Sequence, residues 1–168
     1  MAALHCHPQA PSEAVQGIEA TTFRAGELIR IEYRIRGDIG RLRIPPRRTP
    51  APGERLWQRT CCEIFVASAP GGPYREFNFS PSGEWAAYAF ASYRNGSPLP
   101  IADPGIELRI SPHQLELHAA IGVEPGRQCA ALCAVLEECD GRLSYWALKH
   151  APGRPDFHDP RGFILELE

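Results

Sequence analysis

Three stretches of the chain gather the side chains whose types and spacing suit binding or catalysis. The first is Leu56-Trp-Gln-Arg-Thr-Cys-Cys-Glu-Ile-Phe65, where Trp57 precedes Glu63. Glu63 sits inside an apolar run, and burying an unpaired carboxylate is costly. It is either an Arg-paired or strand-end residue, or a polar group aimed into a ligand pocket with Trp57 as a flat apolar wall. Either way it should be partly buried with a cationic or hydrogen-bonding partner, and Arg94 and His150 are the first choices. The second stretch is Tyr74-Arg-Glu-Phe-Asn-Phe-Ser-Pro-Ser-Gly-Glu-Trp-Ala-Ala-Tyr88. Strand alternation puts Tyr74, Glu76 and Asn78 on one face and Phe77 and Phe79 on the other. A hairpin would then bring Trp85 and Tyr88 alongside. Arg94, at the end of the next strand, can pair with Glu76 or Glu63. The third stretch, Tyr145-Trp-Ala-Leu-Lys-His-Ala-Pro-Gly-Arg-Pro-Asp-Phe-His-Asp159, collects Trp146 and the only Lys around a Pro-rich loop. His150, Asp156 and His158 in that loop are candidate ligands for zinc or a similar ion. A polar loop fixed by side-chain hydrogen bonds is the alternative.

Other chemistries lack their signatures. There is no Gly-x-Ser-x-Gly elbow, phosphate-binding loop, dinucleotide fingerprint or His-Glu-x-x-His. The six cysteines form no Cys-x-x-Cys. Cys129 and Cys133 share a face of an apolar run and read as small core residues. Cys61 and Cys62 must point to opposite faces, so at most one is expected in the core. His5, Cys6 and His7 would bind metal only adventitiously, from a frayed terminus.

These residues need a scaffold, and its signal is period-2 alternation. Leu28–Arg36, Ile106–Ile110, Leu115–Ile121 and Phe163–Glu168 each alternate apolar and polar residues, as strands with one wet face do. Glu63–Ala67 and Cys129–Leu136 are apolar throughout, as strands buried on both faces are. Trp85–Tyr93 mixes aromatic and small residues that suit close packing of sheets. Turn signals such as Pro70-Gly-Gly-Pro73, Arg94-Asn-Gly96 and Asp103-Pro-Gly105 recur between them. No long helical stripe is present; Ala10–Gly17 and Glu54–Thr60 are each long enough for a single turn. The expected architecture is all-β, a two-sheet antiparallel β-sandwich of about ten strands, of the immunoglobulin or jelly-roll kind. Residues 1–12 are expected as a flexible tail and 13–168 as a single domain.

The formal net charge of −2 disfavours a nucleic-acid or anionic-membrane partner. All but one of the 18 basic residues are Arg, as a GC-rich coding sequence produces. No signal-peptide pattern opens the chain and no apolar run spans a bilayer, so a cytoplasmic address is expected.

The motifs LWQRTCCEIF (56–65), YREFNFSPSGEWAAYAFASYRNG (74–96) and YWALKHAPGRPDFHDPRGFILEL (145–167) resemble those of DOMON-like domains related to type 9 carbohydrate-binding modules. The resemblance implies a β-sandwich whose flat Trp faces clamp a sugar while carboxylate, amide and guanidinium groups take its hydroxyls. Trp57 and Glu63 match that family's spacing. Glu76, Asn78, Trp85, Arg94, Trp146 and His150 carry over as motif positions, with Trp57 and Trp146 as the two sides of the clamp. Relatives that hold haem use Met and His; with Met1 as the only Met, just a bis-His site through His150 or His158 would remain. The expectation is a non-catalytic module for a small sugar or sugar-containing metabolite, with no cofactor required. A metal-dependent activity centred on His150, Asp156 and His158, a haem or redox carrier, and a protein-interaction domain are the alternatives.

Overall fold

The computed structural model describes residues 1–167; Glu168, the last residue of the expected C-terminal strand, lies outside the described residues. Thirteen strands form within it. They are β1 (Ala2–Cys6), β2 (Val15–Ala25), β3 (Leu28–Gly37), β4 (Ala51–Pro52), β5 (Cys61–Ala67), β6 (Tyr74–Phe79), β7 (Glu84–Ser92), β8 (Asn95–Pro98), β9 (Glu107–Ile110), β10 (Gln114–Gly122), β11 (Gln128–Glu137), β12 (Leu143–Ala147) and β13 (Leu165–Leu167). The apolar and alternating runs therefore became strands close to where the pattern placed them. Residues 54–60 hold one tight helical turn, Leu56–Gln58. The other candidate turn, 10–17, instead runs into the long strand β2.

All-β is right, but the separation into two sheets is not. The strands hydrogen-bond along one path, β4-β7-β6-β5-β11-β12-β1-β2-β3-β10-β9, with β13 on β11 and β8 on β7. All pairings are antiparallel except β4 with β7. The link is β1. Ala2–Leu4 pair with β2, whereas His5 and Cys6 pair with β12, so one strand passes between the two halves of a curled sheet. Strands that switch between layers build corners of this kind.

The expected flexible tail is thus the seam of the fold. A buried Glu138 carboxylate accepts hydrogen bonds from Ser12 Oγ and from the backbone N–H groups of Glu13 and Ala14. Arg142 lies across Glu13 and Glu138 and completes the anchor. Sequence pattern missed β1 because a five-residue strand, AALHC, is too short to show a clear alternation.

The two halves close over one apolar core. Ile18, Ile31, Ile35 and Leu117 from one half meet Ile64, Phe77, Phe79 and Leu132 from the other. Each is almost wholly buried, which stabilises the fold by about 1.5–3 kcal/mol per side chain. Tyr33 adds a polar tie, its hydroxyl donating across the core to the carbonyl of Glu63.

A second apolar cluster lies on the outer face of the β5–β6–β11–β12 half. There Phe65, Tyr74, Cys133 and Ala147 are covered by Phe157 and Phe163 from the segment after β12. This cover explains the all-apolar runs of β5 and β11, which are buried on both faces. It also corrects the reading of the adjacent cysteines. Cys62 faces the main core and Cys61 the other side, as alternation demands, yet both are buried.

Candidate functional site

The covering segment does not seal the outer face. Between it, β5–β7 and the turn at Leu56–Gln58 lies a cleft of about 490 Å³. Alternation along the strands decides what reaches it. β5 presents Glu63 and Phe65, β6 presents Glu76, β7 presents Tyr88 and Phe90, and β12 presents Leu143 and Tyr145. Trp57 stands at the open side, 39% exposed, with its ring edge-on to Tyr88 at 5.7 Å. Phe90 stacks on Tyr74 at 4.6 Å, and Gly96 across the β7–β8 hairpin leaves it room to do so. A Cβ at Gly96 would stand 2.5 Å from the Phe90 ring.

Among the described residues, two non-glycine residues have left-handed backbones, and both serve this cleft. Arg55 starts the turn that carries Trp57, and Arg94 itself lines the cleft. Such conformations persist where the surrounding structure holds them, often at binding sites.

The floor is acidic and buried. Glu63 is 2% and Glu76 4% exposed. Burial, reinforced by the charge of Glu76, pushes the Glu63 carboxyl well above the usual carboxylate range. Burial also raises Glu76, against the opposing pull of a 2.8 Å hydrogen bond from Asn78 Nδ2 and of Arg94. Oε1 of Glu63 is buried and has no hydrogen-bond partner. The expected partners are engaged elsewhere. Arg94 pairs with Asp156 at 2.8 Å, and His150 Nε2 donates to the carbonyl of His5 at 2.8 Å.

Behind the floor runs a relay of polar contacts. The Arg94 backbone N–H donates to the Tyr74 hydroxyl, leaving that hydroxyl's proton for His158 Nδ1 at 2.8 Å. In this arrangement His158 carries its own proton on Nε2, which lies 3.7 Å from Glu76 Oε2. Burial and the nearby Arg94 pull the imidazole down to about 4, so it is neutral at pH 7. Asp156 accepts from Tyr93, Arg94 and the His158 backbone. Those bonds outweigh the effect of its burial and hold its carboxyl below the ordinary range.

His158 therefore links site and stability. An unfolded imidazole, near 6.5, takes a proton that the folded one refuses, so its contribution is present above 6.5 and lost as pH falls towards 4. We expect this group to cost the fold about 2–3 kcal/mol between pH 7 and 4.5. In urea unfolding at those two pH values, His158→Gln should flatten the acid loss by that amount. An unchanged pH dependence would place the sensitive group elsewhere.

Of the residues expected in a site, the fold brings Trp57, Glu63, Glu76 and Arg94 to one cleft, with Asn78 hydrogen-bonded behind Glu76. Asp156 and His158, expected as metal ligands, also line it. Three others lie elsewhere. Trp85 and Trp146 point into the main core, 7% and 5% exposed, because each is out of phase with the cleft-facing residues of its strand. Trp146 Nε1 donates to Ser144 Oγ inside that core. His150 stacks edge-on against His7 at 4.7 Å and ties the covering segment to β1.

The triad His150, Asp156 and His158 does not assemble, since each has a different partner. Among the described residues no three His, Cys, Asp or Glu side chains group as metal ligands. The hairpin expectation put Tyr88 beside Glu76, where it stands, but Phe65, Phe90, Tyr145 and Phe157 were missed as walls. Alternation with Glu63 could have found Phe65; nothing local could have found Phe157.

No protein-family profile matches this chain, and no curated protein does. A crystal structure from Bacteroides uniformis superposes with a TM-score of 0.70 over 96% of this chain and 82% of its own, at 16% identity. That protein carries a provisional assignment as carbohydrate-binding. At this identity the superposition shows a shared fold alone.

Proposed function

We propose that this protein is a non-catalytic binding module for a small carbohydrate or sugar-containing metabolite. The observation that carries the reading is a cleft with an exposed aromatic wall over a polar floor. Its volume, about 490 Å³, falls within the roughly 300–1,000 Å³ usual for small-molecule sites. Trp57 and Tyr88 offer apolar surface to the C–H faces of a sugar ring. Glu63, Glu76 and Arg94 offer acceptors and donors that fix its orientation. Support also comes from the provisional name of the Bacteroides protein and from the resemblance to type 9 carbohydrate-binding modules. The clamp differs from the one the motifs implied: Trp57, Tyr88 and Tyr145 take the place assigned to Trp57 and Trp146.

A thermal-shift screen with mono- and disaccharides, amino sugars and nucleotide sugars tests the proposal. A ligand at 100 times its dissociation constant adds about 2.7 kcal/mol, a rise of roughly 5–10 °C for a domain of this size. A reproducible rise with one sugar class supports the reading. No rise across the panel would remove carbohydrate binding as this cleft's role.

A further inference from the structure

We infer that the cleft selects a positively charged ligand, a protonated or alkylated amine carried on a molecule of sugar size. The inference deepens the carbohydrate reading and rests on it. Three carboxyls line the cleft (Glu63, Glu76 and Asp156) against one guanidinium, that of Arg94. Arg94 is paired with Asp156 and bonded to the Tyr93 hydroxyl and acts on Glu76 only from a distance, so neither Glu63 nor Glu76 has a charged partner in direct contact among the described residues. Glu63 Oε1, nearly inaccessible to solvent, has no donor among the described residues. Six aromatic side chains share the cleft with these carboxyls, those of Trp57, Phe65, Tyr88, Phe90, Tyr145 and Phe157. Ring faces attract ammonium groups, most strongly where water is excluded. An N–H donor of the ligand would supply the hydrogen bond that Glu63 lacks, and its charge would neutralise the pair. A neutral sugar would supply the hydrogen bond alone.

The same geometry makes binding pH-dependent. From β6 Glu76 raises the proton affinity of Glu63, and the buried thiol of Cys133 from β11 and the phenol of Tyr33 from β3 stay neutral beside it. Tyr88 of β7 and Tyr145 of β12 share the cleft, and neutral His158 with the Arg94–Asp156 pair closes its far side. A cation bound here competes with the proton that Glu63 otherwise holds, so its affinity rises with pH through the raised range of that carboxyl.

The test compares matched pairs by titration calorimetry: glucosamine against glucose, and choline against its neutral carbon isostere. Choline keeps its charge at every pH, so its affinity between pH 5 and 8 reports the protein alone. We expect each cation to bind at least tenfold more tightly than its neutral partner, and choline to bind more tightly as pH rises. In Glu63→Gln, which keeps the shape of the side chain, both the preference and the pH dependence should collapse while the melting temperature holds. Glucose binding as well as glucosamine would overturn the charge inference and leave the carbohydrate reading standing. Choline preferred over its isostere, with neither sugar bound, would do the reverse. Binding of neither choline nor glucosamine would overturn the charge inference, and silence of the whole sugar panel as well would overturn both.

Discussion

Trp57→Ala should weaken ligand binding about thirtyfold while moving the melting temperature by no more than a degree or two. The asymmetry follows from where the indole sits. It is 39% exposed, meets Tyr88 edge-on and belongs to neither apolar cluster of the fold. Surface substitutions of this kind usually change stability by less than about 0.5 kcal/mol. A sugar ring stacked on the indole, by contrast, would lose the apolar contact on one whole face. At about 2 kcal/mol for such a contact, the affinity change is near thirtyfold. Calorimetry with whichever sugar gives the largest thermal shift, alongside melting curves of both proteins, measures the two effects separately. Unchanged affinity would remove Trp57 from the binding surface. A collapse in melting temperature would make it a structural residue instead.

Trp146→Ala should do the opposite. The side chain is 5% exposed within the main core, and its Nε1 donates to Ser144 Oγ at 3.0 Å. Truncation leaves a cavity between the two halves of the curled sheet and strips a buried hydroxyl of its donor. Large-to-small changes of buried tryptophan cost about 3–5 kcal/mol. At 2–4 °C per kcal/mol, the melting temperature should fall by roughly 6–20 °C. Protein that remains folded below that temperature should bind with near-native affinity, because the indole faces away from the cleft. Selective loss of binding without loss of stability would restore Trp146 to the clamp. Read together, the two variants separate the tryptophans that the motifs had placed on one site.

That separation shows where the sequence stops informing. Alternation in Leu28–Arg36 and Leu115–Ile121 marks strands with one buried face, and these became β3 and β10 with Ile29, Ile31, Ile35, Leu115, Leu117 and Ile121 in the core. Such strands announce their inner face because water and core select different residues. The cleft is built on strands that lack this contrast. β5 and β11 are buried on both sides, β12 carries Tyr145 and Trp146 back to back, and nothing local says which ring faces the ligand. A shift of one residue exchanges the two faces, so Tyr145 rather than Trp146 became the wall.

The sequence by itself determined the all-β class and most strand positions. Those properties depend on residue type and short-range spacing, which a chain carries before it folds. Only the tertiary structure decided that residues 2–6 join the two halves, that Arg94 pairs with Asp156 and that Glu63 is left without a donor. Each of those outcomes depends on partners far apart in sequence, brought together when burial of the apolar faces curls one continuous sheet around its own core.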